Sequence, residues 1–132
     1  MRLVRDPVFG EIDLTATATE LACLANAVAE GAGFISAAPA PESAFDGVTL
    51  VGIEVVKALG SGVRIDVDLP RRTVVISGDT EARAVLAENL RAMATAEDGG
   101  HLHIDYFPEH PYLLDGSVPL VVNSPHGGMP AR

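Results

Sequence analysis

The residues with the greatest capacity for chemistry gather in residues 99–123, GGHLHIDYFPEHPYLLDGSVPLVVN, which hold three of the four histidines and both tyrosines. His101-Leu102-His103-Ile104-Asp105-Tyr106 alternates polar and apolar side chains, the period of a strand with one buried and one open face. Leu102, Ile104 and Tyr106 are expected to face a core, leaving His101, His103, Asp105 and Phe107 on the other side. Two imidazoles at i, i+2 on one strand point the same way and could bind zinc, with Asp105 or His110 as a further ligand. The same residues could instead form a contact surface for a partner. Behind them, Phe107-Pro108-Glu109-His110-Pro111-Tyr112 reads as a rigid turn that returns Tyr112 and Leu113 to the core and offers Phe107, His110 and Tyr112 as compact aromatic contacts.

Of the two readings, the contact surface is the better supported. The His-x-His-x-Asp order partly follows the zinc signature of the metallo-β-lactamase fold, but Tyr106 stands where that signature requires histidine, and 132 residues are too few for its layered sandwich. No cofactor is therefore expected, and a small metal-dependent enzyme or ligand-binding module using His101, His103, Asp105 and His110 is kept as the alternative. Ser117 and Ser124 lie in ordinary proline turns without a Gly-x-Ser-x-Gly elbow, and the glycines make no phosphate loop. Asp66 and Asp68 share one face of a strand and could hold a divalent ion, but acidic residues on a wet strand face more commonly pair with arginines, here Arg64 or one on the next strand. They are retained as partner contacts.

The preceding chain supplies the scaffold. Residues 2–5 and 11–14 read as short strands joined through Asp6-Pro7 and Gly10, with Ile12 and Leu14 on one face. Thr17 and Glu20 form a capping box for a helix over residues 18–30, which Gly31 and Gly33 end. Cys23, inside that helix, reads as a small core or boundary residue. Residues 37–47 are rich in turn formers and read as a loop. Residues 48–58, 63–69 and 73–77 are expected to form a three-stranded meander, turning at Gly60-Ser61-Gly62 and Pro70-Arg71-Arg72. Asp79 can cap a second helix reaching residue 96, with Ala82, Val85, Leu86, Leu90 and Met93 as its apolar stripe and Arg83, Glu88 and Arg91 largely off it. The last strand spans residues 118–123.

These patterns imply an α+β fold, a single domain over residues 1–123 built on a mainly antiparallel sheet of about six or seven strands with two helices packed on one face. Residues 124–132 are expected to be an irregular C-terminal tail. The formal charge of -9 argues against nucleic-acid binding, since phosphates attract basic surfaces, and suits a basic protein partner such as a nuclease. The single cysteine precludes an intramolecular disulfide and a cysteine-based zinc site, which fits a reducing cytoplasm. No apolar run approaches the ~20 residues that cross a bilayer, and the early arginines are followed by no apolar leader segment, so a soluble, membrane-free protein is expected.

HLHIDYFPEHPYL followed by SVPLVV resembles a family of small α+β immunity proteins of bacterial polymorphic toxin systems: a histidine-bearing strand ending in acidic, aromatic, aromatic and proline residues, then histidine, tyrosine and a closing Pro-Leu-Val strand. The resemblance is concentrated in the last quarter of the chain, with the second helix compatible and no distinctive motif in the first half. It implies a non-enzymatic cytoplasmic protein that binds and neutralises a cognate toxin, with His103, Asp105, Tyr106, Pro108, His110 and Tyr112 at matching family positions. The expected partner contacts are His101, His103, Asp105, Phe107, His110, Tyr112, Asp66 and Asp68.

Overall fold

A computed structural model describes residues 1–6, 10–37, 48–95 and 101–123. The elements run β1 (Arg2–Arg5), β2 (Ile12–Thr15), α1 (Ala18–Glu30), β3 (Gly33–Ser36), β4 (Val48–Thr49), β5 (Gly52–Lys57), β6 (Val63–Asp68), β7 (Thr73–Gly78), α2 (Thr80–Thr95), β8 (His101–Ile104) and β9 (Leu120–Asn123). The α+β class is as expected, but the strands form two sheets among the described residues, in the orders β4-β1-β2-β9-β8 and β3-β5-β7-β6. Most of the expected loop at residues 37–47, and the whole of the expected tail at 124–132, lie outside the described residues.

The single sheet gives way to two because the run over residues 48–58 is not one strand. β4 pairs with β1, and β5 begins in the other sheet. Between them the Leu50 amide donates to the Leu3 carbonyl at 3.0 Å and the Val51 amide to the Arg72 carbonyl at 2.7 Å, so two adjacent residues bind different sheets. The expected meander is also corrected. β6 and β7 do form an antiparallel hairpin, but β5 pairs with β7 in parallel, so β7 lies between β5 and β6. The loop at Gly60–Gly62 thus carries the chain past an open position that β7 later fills.

The sheets meet again at residues 112–118, which run along the free edge of β6. Val63 donates to the Tyr112 carbonyl, Leu114 to that of Val63 and Val118 to that of Ile65, each at 2.8 Å. This covers an edge that would otherwise present unpaired backbone groups. The chain then enters the first sheet as β9, parallel to β2 and antiparallel to β8.

α1 starts as expected: the Glu20 amide donates to Thr17 Oγ1 at 3.1 Å and the Thr17 amide to Glu20 Oε1 at 2.9 Å. It buries Leu21, Leu24, Ala25, Ala27 and Val28 and leaves Cys23 exposed, not in the core. α2 packs mainly on α1 and touches β7, while α1 reaches β3 and β5. Two expectations for α2 change. Val85, placed on the apolar stripe, is exposed, and Arg83, placed off it, is 2% exposed. In addition, Asp79 Oδ1 accepts from the Gly62 amide at 3.1 Å, so this carboxylate ties down the β5–β6 loop as it opens the helix.

Arg83 is buried because α1 ends with no basic residue in its last turn. Its Nη1 donates to the Val28 and Ala29 carbonyls at 2.9 Å, its Nε to the Gly78 carbonyl at 2.9 Å and its Nη2 to Thr80 Oγ1 at 3.2 Å. One guanidinium therefore supplies the donors and the positive charge that a helix C-terminus needs. Gly31, with φ of 82°, lets it in: a Cβ there would lie 2.6 Å from Arg83 Nη1.

One core joins the layers. Leu3, Ile12, Leu14, Ile104, Leu120 and Val122 from the first sheet meet Ile53, Val55, Val63, Ile65, Val74 and Ile76 from the second, together with the buried helix faces. Period-2 alternation then sends the intervening residues of both sheets outward.

Candidate functional site

The outer face of the first sheet is assembled by register. Arg2, Thr15, Asn123 and His101 stand in one row across four strands, and Thr49, Val4, Asp13, Val121 and His103 in the next across five. His101, His103 and Asp105 are exposed, while Ile104 is buried and Leu102 and Tyr106 are partly so. The face expected for the two histidines is thus the one they occupy. The strand itself is shorter than expected, ending at Ile104, so Asp105 and Phe107 follow it.

Asn123 organises this face. Its Nδ2 donates to Asp13 Oδ1 at 2.6 Å, to Thr15 Oγ1 at 3.1 Å and to the Leu14 carbonyl at 3.2 Å, and its Oδ1 lies 2.6 Å from His101 Nδ1. An amide oxygen only accepts, so His101 Nδ1 is the donor and its Nε2 is left as an acceptor in the neutral ring. The His103 ring stands edge-on to it, 6.0 Å between centroids. The result is a row of fixed donors and acceptors beside the apolar Val4 and Val121, suited to recognition. Asn123, Asp13 and Thr15 were absent from the sequence-based site because a parallel pairing joins residues some 110 positions apart, which no local period reveals.

His110 does different work. Its Nδ1 accepts from the amides of Tyr112 at 3.2 Å and Leu113 at 3.0 Å, closing the turn, and its own amide donates to the Phe107 carbonyl at 3.0 Å. Its ring lies between those of Phe107 and Tyr112, each 4.7 Å away. Burial holds its pKa below the usual 6.5, against an opposing pull from Asp105. Phe107 is half exposed, whereas Tyr112 and Leu113 are buried, as the rigid-turn reading expects. Tyr112 Oη accepts from Asn89 Nδ2 at 3.4 Å, and burial pushes its pKa above 10 despite that bond.

Asp66 and Asp68 lie on the outer face of the second sheet, away from the histidine strand. Asp66 pairs with Arg64 at 3.1 Å, and Arg71 bridges Asp68 at 3.4 Å and Glu54 at 2.8 Å. The half-exposed Arg64–Asp66 pair is what the arginine-pairing reading expected, whereas the arginine on Asp68 comes from the turn before β7 and not from the next strand. The eight expected contact residues therefore fall into three places: the outer face and end of β8, the turn that follows, and the other sheet. Among the described residues no three histidine, cysteine or carboxylate side chains converge in a way that could hold a metal ion. The His110 nitrogen nearest the chain is already engaged by two amides.

Among the described residues no helix is long and apolar enough to cross a membrane. No curated protein and no solved structure matches the chain. Residues 73–125, which run from β7 through α2, β8 and the aromatic turn to just past β9, match the family model described as Immunity protein 32, consistent with an immunity protein family.

Proposed function

We propose that this protein is an immunity protein that binds a cognate bacterial toxin and neutralises it by occlusion, protecting the cell that makes it. The observation that carries this reading is the family match over residues 73–125, the stretch that holds β8 and the aromatic turn. It acts by contact without turnover, in the cytoplasm, on a toxin of a polymorphic system. The outer face with His101 and His103 and the adjoining Asp105 and Phe107 provide hydrogen-bonding and aromatic contacts of the kinds that interfaces use. The net charge of -9 favours a basic toxin surface and speeds encounter.

Co-expression tests the reading. A toxin-like C-terminal domain encoded beside this protein should arrest growth of a bacterial host when expressed alone and be silenced when this protein is supplied. Purified partners should form a complex whose affinity falls as salt rises. The variant His103→Glu, altered at an exposed position, should weaken that complex at unchanged thermal stability. Continued arrest together with no complex by size-exclusion chromatography would refute the proposal.

A further inference from the structure

Four of the exposed large apolar side chains, Leu59, Val85, Phe107 and Leu114, come from segments that shared depressions, the Gly62 approach and ring contacts bring together. A depression of about 270 Å³ lies there, walled by Ser61, Asp79, Glu81, Val85, Pro111 and Tyr112. Leu114 packs against Gly62 beside it, where a Cβ would approach to 2.6 Å, and Phe107 joins through the His110 and Tyr112 rings. A second depression of about 340 Å³, bearing the fully exposed Leu59 but lined also by Lys57 and Arg83, shares Asp79 with the first, so the acidic character belongs to the smaller one. An isolated exposed leucine is ordinary, but apolar side chains gathered around a concavity mark an interaction surface.

The walls specify the occupant. Val85, Pro111 and the Tyr112 ring are apolar, whereas Asp79 and Glu81 are acidic, and among the described residues no basic side chain lines the smaller depression. A purely apolar ligand would bury the Glu81 carboxylate without a partner, Asp79 already accepting from the Gly62 amide, and an anion would be repelled. Lysine and arginine side chains combine an apolar stem with a cationic head and match both parts. The site is also preformed, because the Asp79 bond to the Gly62 amide fixes the loop wall and the His110 bonds fix the turn opposite.

We infer that this end of the molecule, between the 59–62 loop, the first turns of α2 and the 107–114 turn, seats a basic side chain projecting from the toxin, with Leu59, Leu114 and Phe107 gripping the flanking apolar residues. This deepens the immunity reading and rests on it for the partner's identity. It adds a second contact region to the histidine face.

The test uses the full chain, isotope-labelled, and N-acetyl-arginine N-methylamide as probe in NMR titration, with the norleucine analogue as control. Millimolar affinity is expected for so small a ligand, at about 1–10 mM. Amide shifts should concentrate at Ser61, Gly62, Glu81, Val85 and Tyr112 and be absent with norleucine. Glu81→Gln, an exposed substitution, should weaken binding roughly threefold, the effect of losing one exposed ion pair, and Glu81→Lys should remove the localised shifts. Shifts spread over all acidic surfaces, an equal response to norleucine, or an unaltered Glu81→Lys titration would overturn the site. With the toxin, Glu81→Lys and Val85→Lys should each lower affinity at least tenfold at unchanged melting temperature, and unchanged affinity would overturn the assignment of this end to the toxin. Failure of the wild-type protein to bind toxin is a separate result and refutes the immunity reading itself.

Discussion

Replacing Arg83 with methionine tests whether one guanidinium couples the two helices. Methionine keeps much of the stem's packing but withdraws donors from the carbonyls of Val28 and Ala29 and from Thr80 Oγ1, while the Gly78 carbonyl keeps the Ala58 amide at 3.0 Å. A buried acceptor left without a donor costs about 1–3 kcal/mol, and loss of a cation at a helix C-terminus adds up to ~2 kcal/mol where partly buried. Against this, the variant no longer desolvates an ion, a relief of several kcal/mol. The carbonyl losses outweigh that relief because the charge is already hydrogen-bonded to four oxygens, and a net destabilisation of about 2–4 kcal/mol is expected. For a chain of this length each kcal/mol lowers the melting temperature by about 3–5 °C, so calorimetry should record a fall of roughly 6–20 °C. Urea unfolding should shift its midpoint with little change in slope. Arg83→Lys, with the charge but not the planar fork, should lie between the two. If Arg83→Met unfolds within about 0.5 kcal/mol of wild type, or Arg83→Lys equals it, the guanidinium geometry does not hold the helices together.

Three further outcomes follow from neighbouring contacts. Gly31→Ala forces a left-handed residue and a Cβ 2.6 Å from Arg83 Nη1, so it should destabilise by about 1–3 kcal/mol, and a double-mutant cycle with Arg83→Met should show coupling of about 1 kcal/mol measured by urea unfolding. The folded state holds His110 with a pKa below 6.5, so unfolding takes up a proton in acid: its contribution to stability is full above about pH 6.5 and is lost as pH falls toward the folded pKa. His110→Asn offers an amide oxygen in place of Nδ1 and cannot titrate, so the acid-side slope of melting temperature against pH should be shallower than in wild type. Tyr112→Ala should cost about 3–5 kcal/mol by emptying a buried site, whereas Tyr112→Phe, losing only a 3.4 Å hydrogen bond, should cost under about 1 kcal/mol and remove a tyrosine absorbance step above pH 10.

Local chemistry was the part most readily read from the chain. The Thr17 and Glu20 box, the alternation of Val63 to Asp68 and the outward side of His101 and His103 each depend on residues within a few positions, where side-chain period and backbone geometry are tightly linked. The two sheets escaped because the switch at Leu50 and Val51 is made by backbone hydrogen bonds, and the valine and isoleucine run that continues through it reads the same in either sheet. β3, with Phe34 half exposed and no alternating burial, left no periodic trace at all. The site divides along the same line: the histidines were visible, while Asn123, Asp13 and Thr15 reached them only through the parallel pairing of β2 and β9.

Arg83 shows why a charge pattern alone misplaces a residue. By charge alone it is expected to face water, yet it stands four and seven residues before the buried Ala87 and Leu90, on the same face of α2. Its burial is dictated by α1, whose last carbonyls lack a local cation, and by Gly31, whose missing side chain opens the space. The demand, the opening and the donor belong to three separate segments, so the position becomes intelligible only once α1 and α2 are packed. The same logic governs the acidic depression beside it. Asp79 opens α2, ties the Gly62 loop and faces the aromatic turn, and it can line a contact surface only because the fold has brought those three segments to one end.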